Sequence, residues 1–157
     1  MDDVKKLKTE GKRLIQEKEY EKAKEAFHTI LEKIPEDIFS IDTLGFLYYM
    51  TGQFEKAHRY CELSLSLKPN NYYALKGMGL CLAELGRADE GIRYILASLD
   101  IKPDCFDSHY DLAVTYLKID ELEKARRHAQ KALELDRSRS ELVRKLLRSI
   151  EIREKSD

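Results

Sequence analysis

The chain repeats itself every 34 residues, and that period limits the fold more than any other feature. Pro35, Pro69 and Pro103 mark it. Gly11, Gly45, Gly79 and Ala113 keep the same interval, as do Ala23, Ala57, Gly91 and Ala125. A fourth series runs Tyr20, Phe54, Ala88 and Leu122. Together they set the units at residues 4–37, 38–71, 72–105 and 106–139. Within a unit the apolar residues recur at helical offsets rather than alternating as in a strand. Periods of this length belong to stacked helix pairs, in which no unit buries its apolar face alone. The reading is all-α.

Each series has a steric meaning. A small residue inside a helix costs entropy or packing unless another element must come close. The small residue of each first helix is therefore expected to face that of the second, so that the two pack ridge into groove. Leu14, Tyr48, Leu82 and Tyr116 fill space after the first small residue, and Phe27, Cys61, Ile95 and Ala129 after the second. Gly52 and Gly86 stand where a left-handed residue ends a helix at least cost. Lys18 and Asp120 take those places in the outer units. Lys68-Pro69 and Lys102-Pro103 close second helices, because a residue before proline is pushed out of helical geometry. Arg137 replaces the proline in the last unit, and a further helix over about 139–155 is expected. Ser138 with Glu141 reads as its capping box. Leu142, Leu146, Leu147 and Ile150 read as the apolar stripe that covers the open end of the stack.

Composition narrows the function. Lys and Arg number 28 against 29 Asp and Glu. That balance argues against general affinity for nucleic acid, which requires a positive surface. Three Pro and seven Gly in 157 residues leave little room for long irregular loops, and a single domain over 1–157 is expected. Cys61, Cys81 and Cys105 include no CxxC pair, which points to a reducing compartment. The N-terminal segment lacks the apolar run of a signal peptide, and no stretch approaches a membrane span, so the expected location is cytoplasmic. No nucleophile elbow, phosphate-binding loop, zinc-protease or dinucleotide signature occurs. The reading is non-enzymatic and without cofactor. His58 with Cys61, and Cys105 with His109, have spacings that two metal ligands could share, but further ligands are not evident in the sequence. No metal is expected. His109 is read as a packed core histidine, and His28 and His128 as surface residues.

With closing prolines and paired small residues at this period, the chain resembles the tetratricopeptide repeat family over its whole length. Glu10 departs from the family pattern, which has an apolar residue there. The resemblance implies a right-handed superhelical solenoid of four helix-turn-helix units plus a C-terminal capping helix. It also implies a concave groove, lined by the first helices, that binds a segment of another protein. Carried into this sequence, the groove is expected to present Lys5, Lys8 and Lys12 from the first unit. The second unit supplies Phe39, Asp42, Thr43, Phe46, Tyr49 and Met50, and the third Tyr73, Lys76 and Leu80. The fourth supplies Asp107, Tyr110, Asp111 and Val114. Thr9, Gln16, Gly77, Glu84 and Lys118 lie beside them. Some family members hold the C-terminal carboxylate of chaperones with two Lys, two Asn and one Arg. Lys8 keeps the first of these, but Lys12, Thr43, Tyr73 and Gly77 stand at the others, so that clamp is not expected.

The expected function is an interaction module: an adaptor, scaffold or co-chaperone-like protein that takes a peptide or helix of a partner into its groove. The alternative is a self-associating scaffold, a homo-oligomer built through the same groove. The groove centre is aromatic and apolar, a patch of the kind that marks binding surfaces. Lys5, Lys8 and Lys12 share a helix face at one end, and Asp107 and Asp111 at the other. A complementary ligand would carry an acidic end, an apolar or aromatic anchor and a basic end.

Overall fold

The computed structural model describes residues 2–156, and among them the chain forms nine α-helices. They are α1 (Asp2–Gln16), α2 (Tyr20–Lys33), α3 (Ile38–Met50), α4 (Phe54–Leu67), α5 (Tyr72–Glu84), α6 (Ala88–Ile101), α7 (Phe106–Lys118), α8 (Leu122–Leu135) and α9 (Ser140–Glu154). A short 3₁₀ turn, Arg137–Arg139, precedes the last. None of these helices is long and apolar enough to cross a membrane.

The turns inside each pair are built alike. Glu19 N–H donates to the Leu14 carbonyl and Lys18 N–H to that of Ile15. The same two bonds recur from Gln53 and Gly52, from Arg87 and Gly86, and from Glu121 and Asp120. This is the Schellman end, whose penultimate residue is left-handed. Gly52 and Gly86 have φ of 73° and 80°, and Lys18 and Asp120 adopt 61° and 64° without glycine's freedom. Between pairs, side chains cap the next helix. Asp37 accepts from Ser40 N–H, and Asn71 from Tyr73 N–H, each satisfying a donor that the helix start leaves open. Cys105 holds the equivalent place before α7 and makes no side-chain cap.

The helices pair as hairpins, α1 with α2 through α7 with α8, and each hairpin docks on the next. First helices also meet across units: α3 with α5, α5 with α7, α7 with α9. The second helices make no comparable contact with one another. The stack is therefore tighter on the first-helix side, which makes that side the inner one. Three apolar clusters hold it. The N-terminal one centres on Phe27, Ile30, Leu44 and Leu47, and the C-terminal one on Ile95, Leu112, Val143 and Ile150. The central cluster is thin, with only Cys61, Met78 and Leu82 fully included.

The expected meeting of small residues holds in the third unit and not uniformly. A Cβ added at Gly79 would lie 2.5 Å from the Gly91 carbonyl oxygen and equally close to Ile95. In the first unit the space over Gly11 is taken by the Phe27 ring, 2.6 Å from such a Cβ. In the second unit Gly45 does face Ala57, but at ordinary contact: a Cβ there would lie 3.5 Å from Tyr60, 3.7 Å from Cys61 and 3.8 Å from the Ala57 carbonyl oxygen.

The start of the last helix also differs from expectation. Asp136 caps the 3₁₀ turn, accepting from Ser138 N–H at 2.9 Å and from the Ser138 hydroxyl. The helix α9 then starts at Ser140 with no side-chain cap, so the expected Ser138–Glu141 box does not form. Val143, Leu146 and Ile150 are buried, while Leu142 is 44% exposed. His28 and His128 are not simple surface residues. His28 Nε2 is 2.9 Å from the Tyr48 hydroxyl, which belongs to a ring stacked on Tyr60. His128 packs its ring on His109 and Tyr116. His109 Nε2 lies 3.0 Å from the Pro103 carbonyl, which can only accept, so His109 donates there. Its Nδ1 then accepts from His128 Nδ1–H, also at 3.0 Å.

Candidate functional site

Where the central cluster is thin, the inner face opens a pocket between α3 and α5. Phe46, Tyr49, Tyr73 and Leu80 form its rim, with Asp42 and Lys76 on its walls. Its floor is Gly45, Ala74, Gly77 and the sulfurs of Cys61 and Cys81. The cavity volume is about 50 Å³, room for the end of a side chain or a few waters. The cause lies in the sequence. Gly77 stands outside every repeat series, and its missing side chain leaves α5 bare opposite Cys61, whose sulfur would be 3.0 Å from a Cβ there.

The polar groups of the site are tied down from behind. Asp42 accepts from the Ser64 hydroxyl at 2.6 Å and from Asn71 Nδ2 at 2.8 Å. Asn71 also donates to Ser64 at 2.9 Å, so one network joins α3, α4 and the start of α5. Burial raises the Asp42 carboxyl above the usual aspartate range, and these two hydrogen bonds oppose the shift. Asp111, on α7, is raised for the same reason, with the Lys76 ammonium opposing at 3.5 Å. Lys76 also sits 5.5 Å above the Tyr73 ring. Burial, then the Glu84 carboxylate, pushes the Tyr49 phenol up to about 12, and burial likewise raises Tyr73. The Cys81 thiol beside it, together with burial, holds the Cys61 thiol far above its ordinary pKa and so protonated. A protonated thiol is a poor nucleophile and a poor metal ligand. Cys105 is buried and free as well.

The other residues expected in the groove are spread along it. Phe39, Phe46 and Met50 are 42%, 36% and 46% exposed, an apolar strip along α3. At the N-terminal end, Lys8 pairs with Asp37 at 2.6 Å, and Lys8 and Lys12 both lie over the Phe39 ring at 5.4 and 5.0 Å. Lys5 and Lys12 remain exposed. Thr43 turns its hydroxyl back to the Phe39 carbonyl at 2.6 Å. At the C-terminal end Tyr110 stacks on Phe106. Tyr110 and Val114 pack partly into the C-terminal cluster. Asp107 pairs with Arg139 at 2.8 Å. The pocket thus gathers Asp42, Phe46, Tyr49, Tyr73, Lys76 and Leu80 from the expected set. It leaves Lys5, Lys8, Lys12, Phe39, Thr43, Met50, Asp107, Tyr110, Asp111 and Val114 outside it. Repeat position assigns Cys61 to the core, and no repeat series points to Cys81 or Ala74. The unpatterned Gly77 was the signal that one wall would be open.

Comparison with known proteins agrees with the helix pairing. The family model described as "Tetratricopeptide repeat" matches residues 40–71 and 106–139. No curated protein sequence matches the chain. Among solved structures, MamA residues 41 to the end from Desulfovibrio magneticus RS-1 superposes with a TM-score of 0.72. That match has 18% identity and covers all of this chain and 98% of that one. A double mutant of MamA RS-1 gives 0.72 and 19% over 99% of this chain and 97% of that one.

The chain contains tetratricopeptide repeats.

A further relative within the fold is YrrB, described as a tetratricopeptide repeat protein with an unusual peptide-binding site. It has 27% identity and a TM-score of 0.66, over 80% of this chain and 65% of that one. The matched segment 40–71 lies within the second unit, and the pocket lies where that unit meets the third.

Proposed function

We propose that this protein is a non-catalytic interaction module that binds a peptide or helix of another protein along its inner face, centred on the pocket between α3 and α5. One observation carries the reading. Phe39, Phe46 and Met50 stay exposed on α3 directly beside a preformed pocket, although buried core positions alternate with them on the same helix. Exposed apolar strips next to a concavity are the usual form of a peptide-docking surface. The likeness to YrrB adds support at the level of the fold and of peptide binding as such.

The test is selection of binders from a displayed random-peptide library with the full chain as bait. Selected peptides should lose about 2 kcal/mol of affinity for Phe46→Ala, the range of an aromatic hot spot. Leu142→Ala, on the opposite end of the molecule, should leave affinity unchanged. A mass by light scattering that does not vary with concentration is expected, which separates this reading from self-assembly through the groove. Failure to recover any binder, or binders indifferent to Phe46→Ala, would refute it.

A further inference from the structure

We propose that the pocket between α3 and α5 receives a cationic side chain of the bound segment, an arginine or a lysine, with Asp42 as its counter-charge. This rests on the groove reading above and names the chemistry of its anchor. The charges around the pocket decide the matter. Lys76 is matched by Asp111 at 3.5 Å, Glu84 by Lys118, and Asp107 by Arg139. Asp42 is the exception: its hydrogen-bond partners, Ser64 and Asn71, are both neutral, and Lys68 acts on its charge without forming an ion pair. No ion pair joins it to a cation among the described residues. A carboxylate offers about four acceptor sites, and Asp42 spends two of them on these partners.

An apolar anchor would match the apolar part of the lining but not Asp42. It would cut Asp42 off from water without replacing the lost hydrogen bonds, and burying an unpaired charge is costly. A guanidinium or ammonium group replaces that water and makes a charge-assisted bond. The lining suits the same guest, because Phe46, Tyr49 and Tyr73 all contribute to it and cations bind over aromatic faces. The protein already uses one of these rings so, with Lys76 Nζ 5.5 Å from the Tyr73 centroid.

The probe is a set of blocked pentapeptides, alanine and glycine except at the central residue. That residue is arginine, lysine, citrulline or norleucine. Each is titrated into the isotopically labelled full chain while backbone amide resonances are followed. The arginine and lysine peptides should shift the amides of Asp42, Tyr49, Tyr73 and Gly77. Arginine should bind about tenfold tighter than its neutral isostere citrulline at low salt, with the gap narrowing as salt is added. Asp42→Asn should erase the preference of arginine over citrulline. If that variant does not fold, the citrulline comparison on the native chain still decides. Citrulline or norleucine binding as well as arginine at these amides would overturn the cationic anchor and leave the groove reading standing. Shifts elsewhere, or none, would overturn the anchor too. The groove reading itself falls only if the library selection described above also fails.

Discussion

At Gly79 two backbones touch, and the cost of any side chain there follows directly. Gly79→Leu has to displace the Gly91 carbonyl or Ile95, and overpacking of this sort costs about 1–3 kcal/mol. Gly45 holds the same place in the second unit, yet a methyl there meets its neighbours at ordinary contact distances. Gly45→Ala should therefore raise stability, by up to about 1 kcal/mol, since alanine is the better helix former. Thermal melts of the two variants should move in opposite directions, and parallel losses would show that the second unit has no such slack. A second consequence at this scale concerns pH. Burial, with His109 and Arg127 adding to it, lowers the His128 imidazole from about 6.5 to about 4. Between those values the unfolded chain binds a proton that the folded one refuses, so stability falls as pH drops through this window. Above it the effect vanishes. Asp42 and Asp111, whose carboxyls are raised, titrate with the opposite sign, so the wild-type curve alone is ambiguous. The difference between wild type and His128→Gln removes them. The wild type should lose ground to the variant from pH 7 to pH 5, by on the order of 1 kcal/mol once solvent screening at a half-exposed ring is allowed for. A difference that does not change with pH would mean that the ring takes its proton freely when folded.

The terminal helix shows how an element can be foreseen and still be placed slightly wrong. Ser140, where α9 begins, lies one period beyond Phe106, where α7 begins, so α9 sits as the first helix of a fifth unit. Leu147 then falls in the series of Gly11, Gly45, Gly79 and Ala113. Helix ends were legible because they rest on local sterics: proline's ring and left-handed turns are written in single residues. The start of the last helix was not, because Asp136 caps a 3₁₀ turn ahead of it. On the buried face Val143 stands where periodicity suggests Leu142. A paired substitution separates the two stripes. Val143→Asp places an unpaired charge in the C-terminal cluster and should cost about 3 kcal/mol or more. Leu142→Asp should stay within roughly 0.5 kcal/mol of the parent, as exposed sites do. Equal losses would restore the stripe that sequence periodicity suggests. The pocket was legible in part for a related reason. Its rim follows the repeat, whereas its depth depends on a glycine outside the repeat and on two cysteines shared with the core.

Across the whole molecule, the inner face carries less charge than its sequence suggests, because helices of different units neutralise one another. Asp37, from the turn before α3, cancels Lys8 of α1, and Lys76 of α5 meets Asp111 of α7. Arg139, from beyond α8, holds Asp107 and lies over the Phe106 ring. These partners come from distant parts of the chain, so residue spacing along one helix could not reveal them. What survives is asymmetric. The negative end is paired away, while Lys5 and Lys12 of α1 stay exposed and, among the described residues, form no ion pair. A segment lying along the groove is therefore drawn with acidic residues toward α1, whichever side chain enters the pocket. Exposed charges of this kind act mainly on the rate of association, since steering works before contact and buried contacts govern release. Lys5→Glu with Lys12→Glu should slow association of a library-selected peptide by roughly 3–10-fold at low salt, with a much smaller change in dissociation. At about 1 M salt, where screening shortens to about 3 Å, the variant and the parent should associate alike. Asp107→Asn, at the neutralised end, should change neither rate. Stopped-flow traces at two ionic strengths measure all of this. A reversal variant that associates as fast as the parent at low salt would show that the ligand approaches some other face.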